Sequence, residues 1–171
     1  MDLIPSFQVD HTKIVPGIYE SRIDTLGSEF VTTFDIRMKT PNVEPAIHPN
    51  AMHTIEHVIA TFLRNDEEWK DRIIYWGPMG CLTGSYLIVK GHPTPEEILP
   101  LMIRAFEFCA DYDDVVPGSN PINCGNYLLH DLQIAKYEAS LFANILKTNP
   151  CFVYPTQQRI ETEKGQVFYD S

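Results

Sequence analysis

No cluster of lysine and arginine occurs in this chain of 171 residues, where 13 basic side chains face 23 acidic ones for a formal net charge of -10. A surface of that sign repels phosphate, so nucleic acid is not an expected partner. Long apolar runs are missing too. No stretch reaches bilayer-spanning length, and the opening MDLIPSFQVD has neither a basic segment nor an apolar core of signal-peptide size. The expectation is a cytoplasmic protein with no membrane partner. Internal repeats and low-complexity linkers are absent, which predicts one domain over residues 1–171, with 148–171 as a polar tail. Cysteine is scarce: Cys81, Cys109, Cys124 and Cys151 are the only ones. In a reducing compartment they are candidates for metal ligands, reactive thiols or core packing rather than disulfides.

With 44% hydrophobic residues, the chain has enough apolar material for one packed core. GIYESRIDT and EFVTTFDIRM flank LGS and read as an antiparallel hairpin, the second run alternating through Val31, Thr33, Asp35 and Arg37. RIIYW and SYLIVK are strand-like runs joined by GPMGCLTG. Thr94, Pro95 and Glu97 form a capping-box pattern that opens a helix through EEILPLMIRAFEFCADY, with Pro100 as a candidate kink. DLQIAKYEASLFANILK reads as another helix. Hairpins interrupted by helices predict an α+β fold, an antiparallel sheet packed on one face by about three or four helices.

The segment NAMHTIEHVIATFLRN contains no proline or glycine and begins with a residue able to cap a helix, Asn50. Met52, Ile55, Ile59, Phe62 and Leu63 recur at helical steps and face a core, while His53, Glu56, His57, Ala60 and Arg64 share a neighbouring stripe. Imidazoles one turn apart can reach one metal ion, and Glu56 beside them is placed to move protons. The same spacing also occurs on ordinary polar helix faces.

Two cysteines sit in glycine-containing loops, Cys81 in GPMGCLTG and Cys124 in NCGN. Such loops carry either functional groups or idle thiols. A thiolate at Cys124 completes a His-His-Cys set with an open fourth position, as catalytic metal sites require. Cys109, after Phe106 and Phe108, reads as core, and Cys151 has no evident partner. HTIEH also matches the inverted HxxEH metallopeptidase pattern, in which Glu138 would serve as a downstream carboxylate ligand. A metal-dependent binding protein without turnover is a third reading.

SFQVDHTK, FDIR with PN behind it, HTIEH, GPMGC with TG, and CGNY followed by HDL occur in one order from about Ser6 to about Lys147. That order resembles the LuxS family of S-ribosylhomocysteine lyases. The resemblance implies a homodimer with interface active sites and cleavage of S-ribosylhomocysteine to homocysteine and the dihydroxy-pentanedione precursor of autoinducer-2. It also implies one divalent metal ion per subunit on His53, His57 and Cys124, with Fe(II) favoured and Zn or Co(II) possible. Cys81 and Glu56 match the family's acid/base pair, and Ser6, His11, Arg37 and Arg64 match its substrate-binding positions. The chain departs from the family pattern at Met38–Thr40, where a glutamine usually precedes PN, and at Tyr75, where an aspartate is common.

Overall fold

Alternation decides the first hairpin: β1 (Gly17–Leu26) and β2 (Glu29–Arg37) pair antiparallel, with Leu26 opposite Glu29. Gly27 lies between them at φ 63°, in the first central position, where a two-residue hairpin turn needs a positive φ. In the computed structural model, which describes residues 9–155, 158–161 and 167–170, a second hairpin joins β3 (Ile73–Pro78) to β4 (Gly84–Lys90). β4 also pairs antiparallel with β2, so the sheet order is β1-β2-β4-β3. This central pairing sets Gly84 opposite Arg37. A Cβ at Gly84 would collide with the Ile36 carbonyl oxygen, so glycine lets the strands close beside the loop that carries Cys81.

Helix α1 (Pro49–Asn65) contains HTIEH. It begins earlier than the expected Asn50 cap: His48 is the N-cap, its Nδ1 accepts from the Asn50 amide, and Pro49 occupies the first turn. Helix α2 (Pro95–Asp111) has the expected capping box at Thr94 and Glu97. The helix continues through Pro100, which lies on its exposed side, where water can satisfy the carbonyl that loses its partner. Replacing Thr94 by alanine is expected to cost about 1 kcal/mol, measured as a lower urea midpoint with an unchanged slope. Helix α3 (Leu132–Thr148) is capped by Asp131, whose side chain accepts from the Ile134 amide.

One face of the sheet builds the core. Ile18, Phe34, Ile36, Trp76, Leu87 and Val89 pack with Met52, Ile55 and Ile59 of α1, Met102 and Phe106 of α2, and Phe142 of α3. Cys109 is buried among them, as its aromatic neighbours predict. Period two sends Asp35, Arg37 and Tyr86 to the opposite face. Among the described residues, three helices and an antiparallel four-stranded sheet give the α+β class expected from sequence, and no helix is long and apolar enough to cross a membrane. The expected tail contains two short paired strands, β5 (Gln158–Glu161) and β6 (Val167–Asp170).

Candidate metal centre and reactive thiol

Helix α1 carries His53 and His57 one turn apart, and loops far along the chain fix both rings. His53 Nδ1 lies 2.8 Å from the Leu129 carbonyl oxygen and His57 Nδ1 lies 2.6 Å from that of Pro117. A carbonyl only accepts, so each Nδ1 bears the proton and each Nε2 keeps its lone pair. Gly118, at φ 70°, makes the turn that leaves the Pro117 carbonyl facing His57. Cys124 Sγ stands 3.6 Å from His53 Nε2 and 3.8 Å from His57 Nε2, and it accepts from the Asn126 amide at 3.4 Å. Metal–sulfur bonds near 2.3 Å and metal–nitrogen bonds near 2.0–2.1 Å give a tetrahedron with S···N edges of about 3.6 Å. The three donors therefore stand at ligand spacing, and they fit a thiophilic divalent ion.

His130 joins this group. Its ring stacks on His53 with centroids 4.3 Å apart, and the candidate ligand atoms of His53, His57, Cys124 and His130 all lie within 4.8 Å of one another. Burial, followed by the neighbouring His53 and His57, lowers the His130 pKa to about 4, so the ring is neutral at neutral pH. The sequence reading placed no role on His130. Its only signal was the HDL motif just before the α3 cap, and nothing in its spacing tied it to α1.

Cys81 belongs to a second centre. The loop 79–83 is tight: the Met79 amide donates to the Gly84 carbonyl, the Leu82 amide to that of Met79, and Leu82 adopts φ 58°. The exposed thiol lies 3.1 Å from the Thr83 hydroxyl and 3.8 Å from Arg37 Nη1. Arg37 is buried and clamped, donating from Nε and Nη2 to Asp35 at 3.1 and 2.6 Å and from Nη1 to Thr83 at 2.6 Å. Tyr154, stacked on Tyr19, donates to the same Asp35 carboxylate. Burial raises the Cys81 pKa, but hydrogen bonds from the Thr83 hydroxyl and amide and the charge of Arg37 outweigh it, leaving the thiol below its ordinary value. Alkylation of Cys81, followed by peptide mapping, is expected to rise with pH through a midpoint below that of a free thiol. The Thr83→Val variant should move that midpoint upward; an unchanged midpoint removes the hydroxyl as its cause.

The sequence-predicted residues thus fall into two groups. Cys81, Arg37 and His11 line one cavity of about 240 Å³ together with Asp35, Tyr86 and Tyr154. His53, His57 and Cys124 form the other group, with Glu56 half-buried on the same helix. Arg64 lies outside that cavity, and its Nη1 and Nη2 donate to the carbonyls of Ile73 and Ile74, both at 2.8 Å. Ser6 lies outside the described residues. Glu138, the ligand that a peptidase would need, forms an ion pair with Lys39 at 2.6 Å and is not part of the cluster. Two of the departures from the family pattern are structural here: Met38 enters the core, and Lys39 makes that pair.

The family model described as LuxS, S-ribosylhomocysteinase, matches residues 4–150. The chain belongs to the LuxS family. An S-ribosylhomocysteine lyase of Phocaeicola vulgatus is 53% identical over 161 residues, covering 92% of this chain and all of the relative. One from Porphyromonas gingivalis is 55% identical over 142 residues, covering 83% and 89%, and one from Borreliella afzelii is 48% identical over 146 residues, covering 85% and 93%. The matched segment contains both centres, from His11 through His130. Tyr154, which reaches back to Asp35 of this LuxS chain, stands four positions beyond it.

Proposed function

We propose that this LuxS-family chain is an S-ribosylhomocysteine lyase, releasing homocysteine and the dihydroxy-pentanedione precursor of autoinducer-2 in the cytoplasm from a single domain. The observation that carries the reading is the approach of Cys124 to His53 and His57, about seventy residues away in the chain, at ligand spacing. They would hold one divalent ion per subunit, with Fe(II) favoured and Zn or Co(II) as substitutes. When bound, that ion supplies Lewis-acid polarisation of substrate oxygens.

The rest of the chemistry falls to side chains. The sulfur sits on the fifth carbon of the ribose, so its elimination as a thiolate needs a carbonyl on the third, whereas the opened sugar starts with its aldehyde on the first. The carbonyl therefore moves twice, and each move takes a proton from one carbon and returns one to its neighbour. Cys81, held as a base by Thr83 and Arg37, and Glu56, on the His53 face of α1, are proposed to carry these protons. Arg37 and His11 share the Cys81 cavity and would hold the substrate there, and the family resemblance gives Ser6 a substrate-binding part too. Arg64 has two donors engaged on carbonyls, so its part is positive charge rather than a bidentate grip.

The family resemblance also implies a homodimer with active sites at its interface. Asp35 and Arg37 of the Cys81 cavity project from the sheet face opposite the helices, while the His-His-Cys group lies on α1, against the other face. Val31, Tyr86 and Ile88 stay half-buried on that outer face. A homodimer packed through it, as the family resemblance implies, would bury these side chains and the mouth of the Cys81 cavity at the interface. Light scattering is expected to give twice the chain mass, and an active monomer would overturn the interface site. The reading as a whole is tested by thiol release from S-ribosylhomocysteine, with a peptide as control: release of thiol and no peptide cleavage is the expected result. Peptide cleavage without thiol release would favour the metallopeptidase, and neither activity a binding protein.

A further inference from the structure

His130 looks like a fourth ligand by proximity, yet its orientation forbids that role. The lone pair of an imidazole lies in the ring plane. His53 and His57 are 87° apart, so their lone pairs can converge on one point. His130 instead stacks on His53 with only 12° between the planes. Lone pairs in two parallel planes a ring thickness apart run side by side and do not meet at one ion.

Hydrogen bonds also determine which nitrogen of His130 is free. The Thr54 hydroxyl has one proton, and it donates it to the Asn50 carbonyl one turn back at 2.8 Å. That oxygen then accepts from the Asp131 amide at 3.0 Å and faces His130 Nδ1 at 3.2 Å. With its proton committed, Thr54 can only accept from His130, so Nδ1 carries the hydrogen and Nε2 keeps a lone pair. That Nε2 is buried with no partner among the described residues. An unused acceptor in such a place is costly unless a donor arrives.

We propose that His130 is a fixed hydrogen-bond acceptor beside the His53–His57–Cys124 group, there to receive a sugar hydroxyl of the substrate, and not a ligand. The identity of the hydroxyl compound rests on the lyase reading; the orientation of His130 does not. Thr54, which sits between the two ligand histidines on α1, is the residue that sets the tautomer. Helix α1 thus carries the two donor histidines and, through Thr54, orients the acceptor beside them.

Two measurements test this. In protein loaded with NMR-active cadmium and heavy-nitrogen histidine, His53 and His57 Nε2 should show scalar coupling to the metal. His130 should show none, with its proton on Nδ1. Coupling at His130, or a proton on its Nε2, overturns the proposal whatever the substrate is. In the second measurement, His130→Ala should keep metal affinity within about tenfold while S-ribosylhomocysteine affinity, read from the Co(II) absorption spectrum, falls about five- to a hundredfold. His130→Gln, whose amide oxygen can accept, should recover part of it. Wild-type substrate affinity in both variants would also overturn the proposal. If wild-type protein shows the predicted cadmium couplings but binds no S-ribosylhomocysteine, the lyase reading fails and the acceptor loses its sugar, while its orientation stands.

Discussion

Replacing Cys81 by alanine is expected to leave the metal content unchanged and to slow thiol release from S-ribosylhomocysteine by a factor of about a hundred to ten thousand, the range that general acid/base groups contribute. Metal content should survive because Cys81 is no part of the four-residue cluster. The loss should come from the base itself, since Arg37 remains clamped to Asp35 and Thr83 without the thiol. Glu56→Gln should also keep the metal and lose release. The two variants should fail differently: because carbonyl migration precedes elimination, one blocked late still exchanges sugar protons with heavy water while releasing no thiol. A metallopeptidase behaves otherwise, losing everything with Glu56→Gln and nothing with Cys81→Ala. Wild-type thiol release by Cys81→Ala would sink the proton-transfer scheme.

Cys124→Ala is expected to lower metal affinity by more than about a hundredfold, beyond the ten- to hundredfold cost typical of a group that merely orients a ligand. The fold should persist, because Cys124 sits in a half-exposed loop outside the hydrophobic core. Metal analysis after dialysis against a weak chelator, paired with a thermal melt of both metal-free proteins, separates the two effects. Full occupancy in the variant would remove Cys124 from the ligand set. A metal-free variant that melts far below metal-free wild type would point instead to a structural role for the loop.

Much of this molecule was legible in its residues. Alternation placed Phe34 and Ile36 on one side of β2 and Asp35 and Arg37 on the other, and helical spacing put His53, Glu56 and His57 on one face of α1. The order of short motifs, from FDIR through HTIEH to CGNY, is enough to point to the family. The errors were local. The start of α1 shifted because His48 and Pro49 together make a better helix entrance than Asn50, whereas α2 runs through Pro100 as expected.

Local periodicity thus determined the elements, their buried faces, the pair of histidines on one face of α1 and the suspicion attached to two loop cysteines. Each of those depends on neighbours within a turn or a hairpin, and short-range spacing encodes them. Only the tertiary structure decided that β4 adds to β2, which brings Arg37 to Cys81 and Thr83. It alone diverted Glu138 to Lys39, carried Cys124 to the imidazoles of α1, and stacked His130 on His53. Those contacts join residues tens of positions apart, and their closeness is set by core packing around the sheet and three helices, for which the spacing of residues along the chain has no counterpart.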